Sequence, residues 1–128
     1  MRILILEDSI ERRDAFRAML TNHQLYITDD VQTAHRELRD AYEDGRHYSV
    51  VMLDNDLGEG RDEGRKLADL IKRDFVDGYV YTEKIRKIFI HSTNTVAAQY
   101  MRATLRRDVD TEHIPFSSFP LQALNEVN

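Results

Sequence analysis

The chain has 128 residues and a mass of 15.0 kDa, enough for one hydrophobic core without covalent staples. It contains no cysteine, which excludes a disulfide framework and a thiolate metal site. Its net charge of -5, with both signs spread along the chain, excludes a general nucleic-acid footprint, so no face for long nucleic acid is expected.

The apolar start Arg2-Ile3-Leu4-Ile5-Leu6 runs at once into Glu7-Asp8, too short for a signal peptide or a membrane span. A cytoplasmic protein without a membrane segment is expected, as a single domain over residues 1–128. Arg2 to Leu6 reads as the first strand. Asp8 and Glu11 have capping-box spacing, and Phe16, Met19 and Leu20 form the apolar side of a first helix. The basic pairs Arg12-Arg13 and Arg106-Arg107 read as solvated helix faces. Gln24 to Thr28 is a second strand. Asp29 or Asp30 can cap a second helix with Val31, Ala34, Leu38, Ala41 and Tyr42 inward, and Gly45 stops it. Tyr48 to Leu53 is an apolar run ended by turn residues, the pattern of a strand buried on both faces. A third helix follows from Leu67, Leu70, Ile71 and Phe75, closed by Asp77-Gly78.

Tyr79 to Lys84 reads as an extended surface connection. Lys87 to His91 is a fourth strand. Thr93 or Asn94 caps a fourth helix with Val96, Ala97, Tyr100, Met101 and Leu105 inward. His113 to Phe116 is a weak fifth strand, and Pro120 to Val127 leaves room for about two helical turns. Strands alternating with helices mean βαβ units and a parallel sheet. The expected fold is α/β: a three-layer, doubly wound, five-stranded parallel sheet in the order 2-1-3-4-5, flavodoxin-like.

In such sheets ligands bind at the C-terminal strand ends. There the sequence delivers Glu7-Asp8, Asp54-x-Asp56 and His91-Ser92-x-Asn94. Each acid taken alone reads as a cap or turn residue. Four carboxylates crowded together repel one another and call for a hard divalent cation, Mg²⁺, Mn²⁺ or Ca²⁺, which would attract a phosphoryl oxygen. Glu7, Asp8, Asp54 and Asp56 are therefore the candidate metal ligands, with Glu7 able to act as an outer orienter. His91 is the side-chain type suited to proton transfer at neutral pH. Ser92 and Asn94 can donate hydrogen bonds to phosphate. His23, His35, His47 and His113 read as surface or turn residues, Tyr100 and Met101 as core, and Gly58 and Gly60 as relief of a turn.

The order of elements, the acids after the first strand, Asp54 closing the third and the hydroxyl residues closing the fourth resemble a response-regulator receiver (CheY-like) domain. The resemblance implies that Asp54 is a phosphoacceptor and that Glu7 and Asp8 bind metal. It also implies that Asp56 lends its backbone carbonyl and that Ser92 is a switch hydroxyl. It departs where a receiver carries a lysine after its fifth strand: Ile114-Pro115-Phe116-Ser117-Ser118 has none, and the last lysine is Lys87. The short last helix is a second departure. Leu53-Asp54-Asn55-Asp56-Leu57-Gly58, Ile90-His91-Ser92-Thr93-Asn94 and Met101 are similar to the cyclic-phosphate-processing receiver group. That group carries Leu-Asp-His-Asp-Leu-Gly, His-Ser-x-Asn-Pro-x-Gly and then Asn-Met. Asn55 replaces its histidine, Thr95 its proline, Ala97 its glycine and Tyr100 its asparagine.

The residues together imply a metal-dependent phosphoesterase that opens a cyclic phosphate of a nucleotide or an RNA end, with Asp54 and His91 catalytic. An atypical receiver phosphorylated on Asp54 and read by a protein partner is the alternative, and a bare interaction module the third reading.

Overall fold

The computed structural model describes residues 1–118 together with Leu124 and Val127. The helix expected over residues 120–127 falls largely outside them. In chain order the elements are β1 (Arg2–Leu6), α1 (Ile10–Met19), β2 (Gln24–Thr28), α2 (Val31–Glu43), β3 (Val50–Leu53), α3 (Gly64–Asp77), a 3₁₀ turn (Val80–Lys84), β4 (Lys87–Ile90), α4 (Thr95–Leu105), β5 (Thr111–His113) and a second 3₁₀ turn (Phe116–Ser118). The strands form one sheet in the order β2-β1-β3-β4-β5, with every pair parallel. This is the expected flavodoxin-like order. No helix among the described residues is long and apolar enough to cross a membrane.

The three inner strands read as near-continuous apolar runs because helices cover both of their faces. Side chains alternate between those faces. Ile3, Ile5, Val50, Met52 and Phe89 pack with Phe16 of α1 and with Leu20 just past its end. Leu4, Leu6, Val51, Leu53, Ile88 and Ile90 pack with Leu38 of α2, Leu67 and Ile71 of α3, and Met101 of α4. The molecule is thus three layers, and each fully buried Leu or Ile in them stabilises it by ~1.5–3 kcal/mol.

Helix ends follow local chemistry, with one correction. Ser9 caps α1, its Oγ accepting from Arg12 N at 3.3 Å. Asp8 does not, because the first helical turn starts two residues beyond it. Asp30 caps α2 by accepting from Thr33 N at 2.8 Å, and Asn94 caps α4 through Ala97 N at 3.1 Å. Gly78 ends α3 in the left-handed conformation (φ 79°), where a Cβ is costly.

Three expectations are corrected. Residues 79–84 are not an extended strap: they coil into the 3₁₀ turn and bury Tyr81 and Thr82. α4 buries Ala97, Ala98, Met101 and Leu105, leaving Val96 and Tyr100 exposed; the Tyr100 hydroxyl donates to Asp69 on α3 at 2.8 Å. β5 starts at Thr111, pairs with Ile88 and stops at His113. Pro115 follows two residues on and has no N–H for a ladder.

Candidate functional site

The last paired row of the inner sheet is Leu6, Leu53 and Ile90. One step further along come Glu7, Asp54 and His91, and the ladder continues through them: Asp54 N donates to Leu6 O at 3.1 Å and His91 N to Leu53 O at 3.0 Å. Two-residue alternation puts all three side chains on the α1 face, in the column of Ile5, Met52 and Phe89. They replace apolar residues at the rim of a core. Each offers a ligand atom within 4.8 Å of those of the other two, and all three are buried. Glu7 and His91 are 0% exposed and Asp54 is 5% exposed.

His91 Nε2 lies 3.0 Å from Glu7 Oε1, and Glu7 Oε2 accepts from Ser9 N at 3.0 Å. Asp54 Oδ1 accepts from Asn55 N at 2.8 Å. The His91 ring stands edge-on to Phe16 at 5.1 Å, and its Nδ1 is buried without a hydrogen-bond partner among the described residues. Burial opposes the charge of Glu7, but the bond with His91, the Ser9 N–H and the Arg12 guanidinium more than offset it and hold this carboxyl below its ordinary value. Burial first, and the Glu7 charge second, push Asp54 up to about 6. Two carboxylates thus share a site too dry to screen them. That is the environment a small divalent cation relieves, and the donor set of Glu7 and Asp54, with Glu7 oriented by an imidazole, fits one.

The other predicted residues divide. Asp8 is half-buried just past the strand end, outside the close group, and burial and the Glu7 carboxylate raise its pKa. Asp56 stands apart, exposed, with its carboxylate accepting from Asn55 Nδ2 at 3.1 Å. Asn55 itself is buried, and its Oδ1 accepts from Arg65 N at 3.2 Å, so it braces the turn onto α3. The buried Ser92 Oγ accepts from Asn94 N at 3.0 Å. As acceptors Ser92 and Asn94 fold the turn before α4; their O–H and side-chain N–H₂ make no hydrogen bond among the described residues. His91 is fully buried, its parity turning it under Phe16.

Sequence reasoning missed three contributors. Arg12 is not a plain solvated residue: its Nη1 lies 3.8 Å from Glu7 Oε1 and its guanidinium lies over the Phe116 ring, 5.2 Å from the centroid. Phe116 is the second, its ring edge-on to Phe16 at 5.2 Å. Gly64 is the third: a Cβ there would meet the Asp54 carbonyl oxygen at 1.7 Å. An arginine one turn into the helix that leaves an acidic strand end was the available signal for the first.

Fold and strand-end acids define the class, a CheY-like receiver domain. The Mn²⁺-bound form of response regulator Rcp1 superposes with a TM-score of 0.62 at 20% identity, over 88% of this chain and 78% of that one. A CheY-like receiver domain protein from Methanospirillum hungatei gives 0.62 at 15% identity, over 98% and 87%. The response regulator TrrA from Thermotoga maritima, in complex with Mg²⁺-BeF, gives 0.62 at 19% identity, over 98% and 93%. Comparison with curated proteins gave no match. Within the class, the family model described as "Cyclic-phosphate processing Receiver domain" matches residues 2–107, and the chain belongs to that family.

Proposed function

We propose that this domain is a divalent-metal-dependent phosphoesterase that opens a small cyclic phosphate, of a nucleotide or an RNA end. The observation that carries it is the meeting of Glu7, Asp54 and His91 within 4.8 Å at the ends of three neighbouring strands, in a chain of the cyclic-phosphate-processing family.

Hydrolysis forms a bond from water oxygen to phosphorus and breaks one ring P–O bond. One proton leaves the water and one ends on the departing alkoxide, giving a monoester. Glu7 and Asp54 would hold the cation, with Asp8 beside them; Mn²⁺ or Mg²⁺ suits so few carboxylates better than Ca²⁺, which takes six to eight oxygens. When bound, that ion supplies Lewis-acid charge for the non-bridging oxygens. The Ser92 hydroxyl and the Asn94 amide donate to the phosphate. His91 Nε2 and Glu7 Oε1, 3.0 Å apart and equally buried, are the pair that would pass the proton from the water to the alkoxide.

The test is ³¹P NMR of a 2′,3′-cyclic nucleoside monophosphate incubated with the full chain and Mn²⁺ or Mg²⁺. Monoester should form, and Asp54→Asn should slow it at least ~100-fold. The same ion should raise the melting temperature, a gain of about 2.7 kcal/mol at a hundred times Kd. A metal-dependent rise in melting with no monoester would sink the enzyme reading.

A second reading has one observation in its favour: Asp54 closes the central strand with Oδ1 held by the Asn55 N–H, as a phosphoacceptor read by a protein partner would be. It requires a hydroxylamine-sensitive adduct on Asp54 after treatment with acetyl phosphate.

A further inference from the structure

We propose that Arg12 is a phosphate-binding residue of this edge, its guanidinium held over the Phe116 ring beside Glu7. The inference rests on the reading above that a phosphate ester binds there, and it names the cation that receives it.

Among the described residues Arg12 is the sole Lys or Arg paired with Glu7, Asp8, Asp54 or Asp56. The pairing is loose. At 3.8 Å it lies beyond hydrogen-bond reach, whereas other ion pairs of this chain close fully: Arg65 with Glu63 at 2.7 Å and Lys72 with Asp108 at 2.6 Å. A guanidinium has five N–H donors, and those of Arg12 make no hydrogen bond among the described residues. Its side chain is 31% exposed, so a ligand can reach it.

The group is nevertheless held. Arg12 lies in the first turn of α1, pinned by the Ser9 cap. Its platform, Phe116, rests edge-on against Phe16, which rests against His91. The Phe116 N–H donates to His91 O at 3.1 Å. Rings therefore run from the buried imidazole out to the guanidinium, and they support it without consuming its donors. The planar fork also suits a phosphate, to which two of its N–H groups can donate in parallel.

The experiment titrates inorganic phosphate into the full chain at saturating Mg²⁺ by calorimetry, with Mg²⁺ affinity measured separately in the absence of phosphate. Arg12→Gln should weaken phosphate binding about 10- to 100-fold, while Mg²⁺ affinity stays within about twofold. Arg12→Lys, which keeps the charge and loses the fork, should fall between. Arg13→Gln carries the same change in net charge and should leave phosphate affinity unaltered. Phe116→Leu removes the platform alone and should weaken phosphate about two- to fivefold, which keeps the idea testable if Arg12→Gln fails to fold. Phosphate affinity unchanged in Arg12→Gln, or in Phe116→Leu, overturns the assignment and leaves the phosphoesterase reading standing. A wild-type chain that binds Mg²⁺ but no phosphate overturns both.

Discussion

Asp54 and Glu7 sit side by side in a buried site, and the cost of that crowding falls on Asp54. Its carboxyl rises from 3.8 to about 6 on folding, through burial and the neighbouring Glu7 charge. A group raised in this way binds its proton more tightly in the folded chain. Its contribution to stability is complete below about pH 4 and is lost as pH rises through about 6. In metal-free protein, Asp54→Asn should therefore gain stability over wild type between pH 4 and pH 7, by on the order of 3 kcal/mol. Urea unfolding with chelator at several pH values measures this, and a difference between the two proteins that does not change with pH would remove the argument. Glu7 behaves oppositely: held below its ordinary value by His91, Ser9 and Arg12, it stabilises at neutral pH and loses that contribution on acidification.

At the scale of elements, the loop between β3 and α3 is set by contacts too close for a larger residue. Gly64 N donates to Asn55 O at 2.8 Å, and α3 begins with its first residue pressed on the Asp54 carbonyl. Gly64→Ala places a Cβ 1.7 Å from that oxygen; backbone meets backbone, so the helix start must move. A loss of at least about 2 kcal/mol is expected, together with a weakened Mg²⁺-induced rise in melting temperature. Normal stability in urea would show that the loop accommodates the methyl. Asn55 belongs to the same device. Where the family group carries histidine, this chain has an amide that braces the turn onto Arg65 and Asp56. Local chemistry made most element ends legible: Asp30, Asn94 and Gly78 act as their types suggest. Ser9 displaced Asp8 as the cap because an Asp and a Ser one residue apart are both competent caps, and only the strand's exit path chose between them.

Across the whole molecule, a second buried polar cluster ties α2, α3 and the 3₁₀ turn together behind the sheet. His35 Nε2 lies 2.6 Å from Asp74 Oδ2, and the Tyr81 hydroxyl donates to the same oxygen. All three are buried, although His35 reads in the sequence as a surface residue. Burial first, then the Asp74 carboxylate, raises the Tyr81 phenol well above its ordinary value. Asp74→Ala leaves an imidazole and a phenol unpaired in the core and should cost ~3–5 kcal/mol, without altering Mg²⁺ affinity at the far edge. Thermal unfolding and metal titration of one variant test both halves. A wild-type melting temperature would mean that the cluster carries little of the stability.

The sequence by itself determined the alternation of strands and helices, their order in the sheet, and the rim at which acids gather. Those follow from short-range periodicity and from the handedness of parallel connections. Only the tertiary structure decided which side chains meet. It joined Glu7 and Asp54 with His91 rather than with Asp8 and Asp56, brought Arg12 and Phe116 to the same edge, and sent His35 and Tyr81 inward. Pairing offset between strands distant in the chain makes that choice. A slip of one residue would exchange the faces, and no local pattern in the chain records the offset.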